Sequence, residues 1–159
     1  MKTTLLTDVV YEPDVQALSG QVRVKNAREP ADLTRLAGEA RQIARPKAAY
    51  RAVYLQELDD DHVRIDKVTL TSRVLAVNLK DTHRVFLYMA TCGTELNDWA
   101  HELTDMVHQF WAEEIKVRAL RAAVQALTAD IDRVYAPGKT SIMNPGSLAD
   151  WPLAQQRPF

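Results

Sequence analysis

The spacing of apolar positions changes along this chain, and each change marks an element. Leu33, Leu36, Ala37, Ala40, Ile43 and Ala44 recur at steps of three and four, the single stripe of an amphipathic helix. Pro30 sits near the first turn of that helix and Pro46 stops it. Upstream, residues 1–12 form a lead with a short strand in Val9 to Tyr11. Pro13 and Asp14 then open a short helix over Val15 to Leu18, closed by Ser19-Gly20. Strand rhythm follows over Ala48 to Leu58, with Tyr50, Val53, Tyr54 and Leu55, and Asp59-Asp60-Asp61 makes a turn. Val63, Ile65 and Val68 to Leu70 predict one or two short strands, with Val68 pairing back on the first. After Thr71-Ser72, the apolar positions Val74, Leu75, Val77 and Leu79 fit strand alternation and a short capped helix equally well. Arg84 to Thr91 is the clearest strand; it is apolar on both faces and so predicted to be central.

Gly93-Thr94 breaks that strand and opens a helix from Glu95, with Leu96, Trp99, Ala100, Leu103, Met106 and Val107 on its buried face. From about His108 to Tyr135 a long helix continues or restarts. It is striped by Phe110, Trp111, Ile115, Leu120, Ala123, Val124, Leu127, Ile131 and Val134 and ended by Pro137-Gly138. Helices and strands mix without regular β-α-β alternation, so the expected class is α+β with an antiparallel or mixed sheet packed with a long central helix.

Composition narrows the function classes. A chain of 159 residues fits one domain with a real core. Its net charge of −1 offers no broad basic field for nucleic acid or an anionic membrane. A single cysteine excludes an internal disulfide framework and fits a reducing, cytoplasmic setting. The N-terminus from Met1 lacks an apolar run of signal-peptide length, and no stretch approaches a membrane span.

The most specified segment is Asn144-Pro145-Gly146-Ser147-Leu148-Ala149-Asp150-Trp151-Pro152-Leu153-Ala154-Gln155-Gln156. Pro145 fixes its own φ and pushes Asn144 out of the helical region. Gly146 can take positive φ and admit a close neighbour. Asp150 is placed to cap a short terminal helix over Leu153 to Gln156, or to hold a ligand amine. Such a loop is either a structural corner or a ligand cradle.

This loop resembles the S-adenosylmethionine loop of the activation domain of cobalamin-dependent methionine synthase and its stand-alone relatives. Three further segments agree in order. Ala44-Arg45-Pro46-Lys47-Ala48-Ala49-Tyr50-Arg51 is similar to the family's entry into its first sheet strand. Ala90-Thr91-Cys92-Gly93-Thr94-Glu95-Leu96 resembles its Gly-containing turn, and Trp111 to Leu127 its long central helix. The resemblance covers residues 14–159 as one activation-domain-like unit behind a lead of residues 1–13. It implies a helix over Arg73 to Leu79. It further implies that the chain, stopping at Pro158-Phe159, lacks the family's usual C-terminal part, leaving sheet edges that favour homodimers.

What the resemblance implies for function is reactivation of a corrinoid cofactor. S-adenosylmethionine would be bound here, cobalamin would be held by a corrinoid protein or domain, and an electron donor such as a flavodoxin or ferredoxin would reduce the cobalt. Activity, where present, would be of methyltransferase type, with no catalytic side chain in this chain and no metal ligand. Asn144, Pro145, Gly146, Ser147, Leu148 and Asp150 are carried over as ligand contacts, with Glu114 (or its neighbour Glu113) as an acidic residue fixing the ligand. Two departures stand out. Ile142 occupies a position where the family often has Arg, and Ser147 stands where some relatives have Tyr. Loss of a charge-assisted pair weakens binding by about 1.5–3 kcal/mol. Lys139 lies near enough to offer a point charge instead. The alternative is a non-catalytic binding or regulatory module of the same fold, docking on a corrinoid protein with a degraded S-adenosylmethionine site.

Plainer readings exist for other residues. Glu113 and Glu114 fit a solvated helix edge. His101, Asp105 and His108 lie at helical spacing, as a metal or corrin-edge trio would, but metal sites on helices more often pair two His four apart with a further ligand elsewhere. Cys92 fits a small buried residue better than a nucleophile.

Overall fold

The computed structural model of the chain describes residues 2–22 and 28–157. Expectations that fall on Met1 and on the ending at Pro158-Phe159 lie outside the described residues. The fold is α+β, with an antiparallel sheet of five strands. In chain order the elements are β1 (Thr4–Leu6), α1 (Val15–Val22), α2 (Glu29–Ile43), β2 (Lys47–Leu58), β3 (His62–Ile65), β4 (Val68–Thr71), α3 (Arg73–Leu79), β5 (Arg84–Thr91), α4 (Thr94–Glu102) and α5 (Met106–Tyr135). A 3₁₀ turn, Leu153–Gln156, follows. The sheet runs β1-β2-β3-β4, and β5 pairs with β2. Contacts divide the chain into two compact units: Met1–Thr4, Tyr50–Tyr88 and Pro137–Phe159 in one, Leu5–Ala49 and Met89–Ala136 in the other.

In the first unit, β3 and β4 form a tight hairpin with Ile65 opposite Val68, and Asp66 at φ 56° makes the turn. β2 pairs with β3 through Leu55 opposite Ile65, with a register shift between Leu55 and Glu57. The ambiguous segment after Ser72 is the helix α3. Ser72 decides it: its hydroxyl accepts the Leu75 amide at 3.0 Å, which satisfies a donor that helix starts leave open. Leu75, Ala76 and Leu79 then face inward and join Val53, Val63, Ile65, Leu70 and Trp151 in one core.

In the second unit, α1, α2, α4 and α5 pack around Leu18, Leu33, Leu36, Leu96, Trp111 and Ile115. Asp14 starts α1 by accepting the Ala17 amide at 2.9 Å, and α1 runs through Ser19-Gly20 to Val22 because Leu18 and Val22 both reach the core. The break before α5 was only half legible in the sequence. Leu103 turns extended, and Asp105 caps α5 by accepting the amides of Val107 and His108.

Three expectations need correction. The N-terminal strand lies at Thr4–Leu6 and not at Val9 to Tyr11. β5 is not a fully covered central strand: none of its residues is buried, and Met89 is 66% exposed. Apolar side chains on both faces signal a strand without stating how many neighbours it has. Met106 and Val107 do not lie on the buried face of α4: they open α5 and are 83% and 46% exposed. Gly93, which does break the strand, sits at φ 96°, and an added Cβ would lie 2.9 Å from the Arg45 carbonyl oxygen.

Candidate functional site

The Pro-Gly corner and its surroundings in the first unit are the candidate site. Three side chains fix it to the core: Met143 and Leu148 pack partly buried against the cluster that holds the buried Trp151. The backbone then closes on itself. The Gly146 amide donates to the Trp151 carbonyl at 2.7 Å, and the Trp151 amide donates to the Leu148 carbonyl at 3.2 Å. The Ser147 amide donates to the Asn144 carbonyl at 2.9 Å. The Ser147 hydroxyl donates to the same carbonyl and accepts the Asn144 amide at 3.1 Å. Gly146 needs its φ of +87°, and an added Cβ would meet Leu153 Cδ1 at 3.2 Å.

The amides of Asn144, Gly146 and Ser147 are therefore spent within the corner. A peptide N–H that already makes a short, internal bond has little left for an incoming carboxylate. The carboxylate end of S-adenosylmethionine would need such donors. Ile142 is exposed and cannot supply a charge, and Lys139 is exposed in the preceding segment.

Asp150 is the clearest departure from expectation. It does not cap the turn Leu153–Gln156, whose first position is Pro152 with no side-chain cap. It reaches instead to the start of α3, accepting from the Ser72 hydroxyl at 2.7 Å and from the Val74 amide at 3.1 Å. The Ser72 hydroxyl and then the Val74 amide hold its carboxyl below the ordinary range. Its local sequence, Asp before Trp-Pro, suggests a nearby helix; a helix start far away in sequence competes successfully because it offers two donors at once.

Three residues at the corner escaped the sequence reading. Tyr88 donates its hydroxyl to Asn144 Oδ1 at 3.0 Å, and burial raises its pKa while that bond lowers it. The Gln155 side-chain Oε1 accepts both the Thr71 amide and the Trp151 indole N–H, each at 3.1 Å. Ser72 joins the corner to α3. Only Ser72 carried a signal, as the last polar residue before an apolar run.

The other candidates lie in the second unit. Glu114 is not a solvated edge: it lies 3.3 Å from the Arg118 guanidinium, both side chains are about four-fifths buried, and Glu114 Oε1 and Arg118 Nε make no hydrogen bond among the described residues. The Tyr11 hydroxyl is buried with no hydrogen-bond partner among the described residues. Burial raises its pKa to about 12, with Arg118 opposing and Glu114 reinforcing the shift. Glu113 is a surface partner of Lys116 at 2.9 Å. His101, Asp105 and His108 do not converge. His101 contacts Asn97, Asp105 caps α5, and His108 stacks on Trp111 with ring centres 5.6 Å apart. Burial raises the Cys92 thiol, which disfavours a reactive thiolate. The exposed turn Asp59, Asp61 and His62 brings three potential ligand atoms together. One Asp59 oxygen there already accepts the amides of Asp61 and His62.

Among the described residues no helix is long and apolar enough to cross a membrane. A scan of protein-family models finds no match to this chain, and a search of curated proteins returns none either.

Proposed function

We propose that this chain is a docking or regulatory module of the methionine synthase activation-domain type, acting on a cytoplasmic corrinoid protein and carrying a degraded S-adenosylmethionine site. The resemblance in four ordered segments supports the partner class. The degraded site rests on one observation: the Gly146 amide is held by the Trp151 carbonyl at 2.7 Å, where a ligand carboxylate would need it. Ile142, in place of an arginine, points the same way. Titration calorimetry with S-adenosylmethionine tests this. The expected result is no heat of binding up to about 1 mM ligand, a free energy no better than about −4 kcal/mol. Saturable binding at micromolar ligand overturns it.

That result would favour the second reading, an S-adenosylmethionine-dependent reactivation module assisted by a flavodoxin- or ferredoxin-type electron donor. In its favour stands the exposed rim of Asn144 and Ser147 on a corner already ordered by Tyr88 and Gln155. A preordered rim spares a ligand the entropy of fixing it. Cobalamin in either reading belongs to the partner.

A further inference from the structure

Helix α5 has a buried face and an opposite face that is also apolar. Trp111, Ala112, Ile115 and Ala119 are buried. Met106 is 83% exposed, Phe110 63%, Val117 40% and Leu120 37%. At 3.6 residues per turn these four fall within an arc of about 80°. Their steps of four, seven and three match a helix seam with Glu113 filling the missing place. Scattered exposed apolar residues are ordinary, but a contiguous stripe of this kind marks an interaction surface. Beside it a hollow of about 400 Å³ is lined by Ala100, His101, Met106, Gln109, Phe110 and Glu113, room for an inserted side chain.

The charges on this face select its occupant. Glu113, which one turn along its own helix also pairs with Lys116 at 2.9 Å, and Arg121 are both exposed and lie four positions either side of Val117. We propose that two copies of this chain pair through α5, antiparallel, about a two-fold axis at Val117. That axis sets Glu113 opposite the partner subunit's Arg121, and Arg121 opposite the partner subunit's Glu113. It also sets Phe110 across from the partner subunit's Val124. A parallel pairing would instead put Glu113 against its own copy, and like charges facing each other oppose association. Self-complementarity about one axis is what a two-fold interface requires of a single patch. The proposal is independent of the corrinoid reading.

Sedimentation equilibrium from roughly 5 to 200 µM tests it, with folding checked by circular dichroism. The wild-type chain should dimerise in this range. Phe110→Glu should abolish the dimer. Glu113→Arg and Arg121→Glu should each weaken it by about tenfold, and the double swap should restore it. A wild-type chain that stays monomeric overturns the proposal and leaves the face to a different partner. A dimer indifferent to Phe110→Glu and to the charge swaps also overturns it and moves the interface elsewhere, β5 being the first place to look.

Discussion

At the scale of single residues, an exposed carboxylate and a buried hydroxyl set opposite ends of the pH profile. The carboxyl of Asp150 is lowered in the fold by the Ser72 hydroxyl and the Val74 amide. A lowered carboxyl adds stability above its unfolded value of 3.8 and loses it as pH falls through the lower folded value. Asp150→Asn should therefore flatten the acid limb of the stability curve, read as urea midpoints from about pH 5 to about pH 2. An unchanged limb would mean that Asp59 and Asp105, also lowered by backbone amides, carry it instead. Tyr11 works at the other end. Its pKa rises from 10.0 to about 12, so its contribution is intact below pH 10.0 and lost as pH rises towards 12. Tyr11→Phe should remove that alkaline loss, and should cost little stability near neutrality because the hydroxyl has no partner to lose. Denaturation midpoints at alkaline pH check both parts.

At the scale of elements, Gly93 joins β5 to α4 in a conformation that other residues resist. Gly93→Ala should destabilise the fold by about 1–3 kcal/mol, since φ is +96° and the Arg45 carbonyl, being backbone, cannot move aside cheaply. Thermal denaturation would measure it, and a loss under half of that range would mean the turn relaxes. The sequence made this turn visible because a glycine after an apolar strand has few other uses. It made α2, α4 and most of α5 visible through the spacing of Leu36, Leu96 and Ile115. It left α3 undecided, because Val74 to Leu79 satisfies two periodicities and only the bond from the Leu75 amide to Ser72 chooses between them. β5 is legible as a strand, but its exposure depends on pairing partners that side-chain polarity does not encode.

At the scale of the whole molecule, the candidate site shows the same division. Asn144-Pro145-Gly146 announced a turn, and a turn is there. What the turn does with its amides is set by the Trp151 carbonyl, which takes the Gly146 amide, and by Asn144 and Ser147, which take each other's. The α5 dimer belongs to this scale too, since a stripe that looks like core in the sequence is core only when something covers it. The contact between Asp150 and Ser72 joins positions 78 residues apart. A ribosome therefore delivers α3 with part of its amino-terminal cap still unsynthesised. Until residue 150 emerges from the exit tunnel, that short helix has only Ser72 to hold its first turn, and it should flicker open during translation, closing for good when the downstream carboxylate arrives.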